Sequence, residues 1–251
     1  MLRFLFILIS FFSVQDDELQ KGIDYFNARA ENAVGLQCND ININKAILIF
    51  ESQLKQNRNV MVAGGYLMQS LNFKARFVCI GNRERKPLYE KVILLGNDLI
   101  KKYPKDGKIR FEYISALALW AEIMGPLKSV EANVMSKILY HTDQLILNDS
   151  MYFEGGGWKA KAAMNYKMPF IPGIVTWPDK KKAVVIMRNA LRHFPTNVGC
   201  NFYMGEALYE NGEKEQAMVY FLLAIKYPCR KGFLIEDEFF KDKARKYLEK
   251  L

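Results

Sequence analysis

Three apolar positions recur at a fixed distance in the C-terminal third of the chain: Ala183, Met187 and Ala190 return, with unchanged spacing, as Ala217, Phe221 and Ala224. Within each trio the steps of four and then three put the side chains on one helical face. A face that recurs every ~34 residues fits a unit of two antiparallel helices, which cannot bury its apolar side alone and needs a neighbour stacked against it. In the last unit Gly205 stands in the first helix where Ala217 stands in the second, and a small residue there lets the two axes approach. Asn211-Gly212 supplies the turn between the helices, since glycine accepts a positive φ at a helix end. Pro228 closes the second helix.

The preceding copy is less regular. Asp179 is placed to cap a helix from about Lys180 to Phe194, ended by Pro195. Upstream, residues 152–178 form an irregular insertion: Phe153-Glu154-Gly155-Gly156-Gly157-Trp158, a helical stretch from Lys159 to Lys167, and a Pro169-Phe170-Ile171-Pro172-Gly173 loop that no helix crosses. Towards the N-terminus, helical patterns run over Ile43–Leu54, Asn59–Ile80 and Leu88–Tyr103, and Ile109–Ile123 is read as pairing with Val130–Leu147. The expectation is an all-α chain of about ten helices in one domain from residue 16 to 251.

This period is that of the tetratricopeptide repeat, and the chain resembles that superfamily. Four further pieces, in order, carry a narrower resemblance: Trp120-Ala121-Glu122-Ile123-Met124-Gly125, Gly155-Gly156-Gly157, the Pro169–Gly173 loop and Asp179-Lys180-Lys181-Lys182-Ala183. Over roughly residues 40–230 they are similar to the T component of tripartite ATP-independent periplasmic (TRAP) transporters. The resemblance implies a TPR-like array of antiparallel helix pairs (an α-α superhelix), exported from the cytoplasm, with a periplasmic solute-binding protein as partner. The chain departs from that family in two ways: no cysteine follows the N-terminal apolar run to take a lipid, and Trp158-Lys159-Ala160-Lys161 lacks the expected Leu-Gly-containing basic segment.

The N-terminus points the same way. Arg3 followed by an apolar run from Phe4 to Val14 and then by Asp16-Asp17-Glu18 reads as a signal peptide over residues 1–15. The run is too short to span a bilayer, so the expected product is periplasmic or secreted without an integral membrane anchor. The net charge of +9 comes from basic residues spread among acids, the longest run being Lys180-Lys181-Lys182. No basic, aromatic-interleaved nucleic-acid motif is present, so nucleic acid is not an expected partner.

Catalytic signatures are missing. The two histidines, His141 and His193, belong to no recognisable constellation, and neither a zinc motif, a nucleophile elbow nor a phosphate loop occurs. The reading is therefore a non-enzyme with no metal or cofactor. Candidate ligand or partner contacts are Gly155, Gly156, Gly157, Trp158, Tyr166, Phe170 and Trp177. The glycines either cradle an anion with help from Lys159 and Lys161 or simply permit close packing. The aromatics either belong to the core or line a pocket or subunit contact. The four cysteines lack C-x-x-C spacing, and reversals of chain direction bring Cys200 towards Cys229 and Cys38 towards Cys79 as candidate disulfides. Two functions stand: an exported binding or adaptor protein for a protein partner or small amphipathic ligand, and a self-assembling, homo-oligomeric scaffold subunit without a ligand.

Overall fold

A computed structural model describes residues 17–167 and 179–251. The expected signal peptide, the Pro169–Gly173 loop, Phe170 and Trp177 lie outside the described residues. Those residues are all-helical, with one isolated β-bridge between Val34 and Gln37 and no strand. None of their helices is long and apolar enough to cross a membrane.

The chain divides into two compact units at Lys128 and Ser129. The first contains α1 (17–27), α2 (Ile41–Lys55), α3 (Val60–Phe77), α4 (Asn82–Lys102) and α5 (Gly107–Met124). The unit boundary falls within a short α6 (Pro126–Glu131). The second unit contains α7 (Val134–Asp149), α8 (Gly156–Lys167), α9 (Lys180–His193), α10 (Val198–Glu210), α11 (Lys214–Lys226) and α12 (Leu234–Leu248). The helices read as a pair over 109–123 and 130–147, α5 and α7, thus fall in different units.

Each unit is a stack of antiparallel helices in two layers. In the first, α3 packs directly on α5 while α2 and α4 flank them; in the second, α8, α10 and α12 form one row, with α9 and α11 set against it. The repeat trios sit on the flanking helices α9 and α11, and all six side chains are fully buried. These two helices start one repeat apart, at Lys180 and Lys214, but α8 and α10 start at Gly156 and Val198, two helical turns more than one repeat. The excess lies in the segment between α8 and α9, so the period is legible in one layer only.

The cap foreseen at the start of α9 is formed: the Asp179 carboxylate accepts the Lys182 N–H at 2.9 Å. Asp106 and Asn197 do the same for α5 and α10 at 2.8 and 2.7 Å. Each such cap is worth about 0.5–2 kcal/mol. Gly212, with φ +87°, turns the chain between α10 and α11. Gly205 is where those helices touch: a Cβ there would meet Phe221 Cδ1 and Cε1 at 2.6 Å.

Buried polar side chains concentrate on the directly packed row of each unit. On α3 and α5, Asn72 Nδ2 donates to the Glu112 carboxylate at 2.7 Å. On α8, α10 and α12, Glu206 accepts from Tyr166 Oη at 2.7 Å and Tyr247 Oη at 3.1 Å, and pairs with Lys167 at 3.4 Å. A buried carboxylate is tolerable only with such partners. Beneath it Phe221 stacks on Tyr247 with ring centres 4.9 Å apart, and Phe202 leans on both.

Candidate ligand-binding cleft

At one end of the second unit, three loop segments converge around a cleft of about 340 Å³: Glu154 before α8, residues 193–197 between α9 and α10, and residues 228–230 between α11 and α12. The first of these is the unusual one. Phe153 and Glu154 both have φ +49°, followed by Gly155 at +76°. Left-handed backbone costs a non-glycine residue roughly 1–2 kcal/mol, so it persists only where the surroundings impose it.

Those surroundings are specific. The Phe153 carbonyl accepts Lys159 Nζ at 3.0 Å, and the Glu154 carbonyl accepts the Cys200 thiol at 3.4 Å. The Phe153 ring meets Phe233 edge-on at 5.3 Å, and the Arg230 guanidinium lies 4.9 Å from each ring. Asn197 then fixes the side chain: its Oδ1 caps α10 while its Nδ2 donates to Glu154 Oε2. Arg230 Nη1 stands 3.9 Å from the same oxygen.

Electrostatics separate the charges of this cluster by depth. Asp237, fully buried, holds Arg230, whose side chain is 14% exposed. Burial alone would lower the Arg230 pKa, but hydrogen bonds and charge from Asp237, with Glu154, more than offset it. Lys159 is buried behind the turn, and desolvation lowers its pKa despite nearby Cys200, Glu154 and Asp237. Burial also pushes the Cys200 and Cys229 thiols up, so both are protonated at neutral pH. Glu154, with its side chain 41% exposed, is the charged group of the cluster most open to solvent.

The residues singled out in the sequence divide. Gly155 ends the strained turn, and Trp158 stacks on His193 at the cleft rim, with ring centres 5.4 Å apart and planes at 14°. Gly156 and Gly157 are buried, and a Cβ at 157 would meet Ile146 Cγ1 at 2.8 Å. The two lysines expected to help an anion there are engaged elsewhere, Lys159 with the Phe153 carbonyl and Lys161 with Asp143 at 2.6 Å. Gly157 serves packing between α7 and α8. Tyr166 belongs to the Glu206 network instead.

The disulfides are corrected too, for none of the four cysteines is joined to another. Cys200 is turned to the Glu154 carbonyl, and Cys229 donates to Glu238 Oε1 at 3.2 Å. Cys38 meets the end of α3 through its backbone, its N–H donating to the Phe77 carbonyl at 2.7 Å, and Cys79 stays a separate buried thiol. Helix ends set which cysteines share an end of the array, not where the sulfurs point.

Glu154 as a site residue, with Asn197, Arg230, Asp237 and Phe233, escaped the sequence reading. The one available signal was a bulky Phe-Glu pair before a glycine run. A larger hollow of about 420 Å³ in the first unit, lined by Met61 and residues 103–106, gathers no comparable polar set, and Asp106 there is already the cap of α5. Among the described residues no three His, Cys, Asp or Glu side chains converge as metal ligands. No family model matches the chain, and no curated protein is significantly similar to it.

Proposed function

We propose that the chain is an exported binding or adaptor protein of TPR-like architecture, which takes a small ligand or a partner's segment in the cleft at the loop end of its second unit. One observation carries this reading. Two successive non-glycine residues, Phe153 and Glu154, are held left-handed by contacts from α8, α10 and the α11–α12 loop, so that a carboxylate stands at a cleft. Strain kept at such a cost, beside a hollow lined by both polar and apolar groups, is the signature of a preorganised site. Export rests on the charged and apolar start of the chain, from Arg3 to Val14. Association with a periplasmic solute-binding protein, as for TRAP T components, rests on the motif resemblance alone.

Native mass spectrometry of protein purified from its own host tests the reading. The expected result is a bound small molecule or partner on the wild type that is lost from Glu154→Ala. A clean apo mass from both would contradict it.

The scaffold reading has an observation of its own: α11 exposes Met218, Val219 and Leu222 on its outer side. Sedimentation of the purified protein separates the two, since a scaffold subunit forms a closed oligomer and a binding protein need not.

A further inference from the structure

The charges around the cleft are not equally available. Arg230 gives Nη2 to Asp237 Oδ1 at 2.7 Å and Nε to Oδ2 at 3.0 Å. Lys159 gives its ammonium to the Phe153 carbonyl behind the turn. Both cations are therefore spent internally and little exposed. Glu154 is arranged the other way: among the described residues Asn197 and Arg230 both engage Oε2, and the side chain is 41% exposed at the cleft. Its position is fixed from two sides, by the strained backbone and by Asn197, itself only 5% exposed and pinned as the cap of α10. A carboxylate held in this way needs no reordering to accept a donor, and a charge-assisted hydrogen bond is roughly twice as strong as a neutral one. Around it, the Phe194, Pro195 and Pro228 side of the cleft offers apolar wall to an alkyl chain.

We propose that the cleft recognises a primary ammonium group, seated on Glu154 Oε1 with its alkyl stem against Phe194, Pro195 and Pro228. The group belongs to a peptide N-terminus, a lysine side chain or a free alkylamine. This inference rests on the proposed binding function and gives it a ligand chemistry. An anion is disfavoured in the same place, since it would have to displace Glu154 from Arg230 while facing the Glu154 charge.

The test is a backbone amide NMR titration of the full chain with n-butylammonium, alanyl-alanine amide and Nα-acetyl-lysine amide, with butyrate as the anionic control. The expected result is saturable shifts at Glu154, Asn197, Cys200 and Arg230 with at least one ammonium probe and none with butyrate. Whichever probe binds tightest names the source. Glu154→Gln keeps an oxygen for Asn197 and removes the charge, and it is expected to weaken binding about tenfold or more. Raising the salt concentration on the wild type is expected to weaken it as well, a readout that needs no variant. Shifts at these amides with butyrate and not with ammonium would overturn the proposal while leaving the cleft a binding site. Silence from every probe would overturn the ammonium chemistry, and the native mass measurement then decides the binding function separately.

Discussion

Arg230 and Asp237 are locked together through both side chain and backbone: Nη2 to Oδ1 at 2.7 Å, Nε to Oδ2 at 3.0 Å, and the Arg230 N–H to Oδ2 at 2.8 Å. The bridge fastens the α11–α12 loop to the first turn of α12, and the guanidinium it orients packs on Phe153 and Phe233. Removing Asp237 would leave the buried guanidinium with only the more distant, partly exposed Glu154 carboxylate at 3.9 Å. Asp237→Ala is expected to lose about 3–5 kcal/mol in urea unfolding, whereas Lys181→Ala, at an exposed position on α9, should change stability by less than about 0.5 kcal/mol.

At the contact of α10 and α11, Gly205 leaves no room for a methyl group against Phe221. Gly205→Ala is expected to destabilise by about 1–3 kcal/mol through overpacking, measured by the shift in denaturation midpoint at constant slope. A gain in stability, as helix propensity alone would give, would show that the helices can move apart.

That α10 and α11 approach closely at Gly205 was legible in the sequence from the repeat offset, although the side chain nearest to it is Phe221 and not the small Ala217 that the offset pointed to. So was the Asp179 cap, whose chemistry is local. The cleft was not. Glu154, Asn197 and Arg230 are far apart in sequence, and their meeting depends on how three loops end at one place. The triple glycine drew attention to the right stretch for an incomplete reason, since Gly157 admits α7 and the strain lies at Phe153 and Glu154 just before the glycines.

Lys108 gives the first unit a titration signature. Its ammonium lies 3.2 Å from the centre of the Tyr66 ring, and burial brings its pKa down from the usual 10.5 to about 8 against the pull of Glu112 and Asp106. Between about pH 8 and 10.5 the unfolded chain holds this proton and the folded chain does not, so the contribution of Lys108 to stability rises with pH. Lys108→Met is expected to remove that rise and to stabilise the protein at pH 7. An NMR titration of reductively methylated lysines in which no resonance titrates near pH 8 would contradict the assignment.

Tyr166 acts with the opposite sign. Burial, then the charge and hydrogen bond of Glu206, raise its pKa well above 10, so its contribution is complete below about pH 10 and declines as pH rises towards the folded value. Tyr166→Phe is expected to cost about 1.5–3 kcal/mol at pH 7, the range for a hydrogen bond to a charged group. The same variant should flatten the alkaline decline, read from unfolding midpoints between about pH 9 and 11.

Photocrosslinking inside the native host tests most directly whether the cleft at the loop end of the second unit is where this protein meets what it binds. A photoreactive benzoylphenylalanine is placed at Thr196, exposed on the cleft wall, and in a separate variant at Lys181, exposed on α9. The predicted result is a light-dependent adduct from position 196 that disappears when Glu154 is also replaced by alanine, and none from position 181. Equal adducts from both positions, or none from position 196, would contradict it.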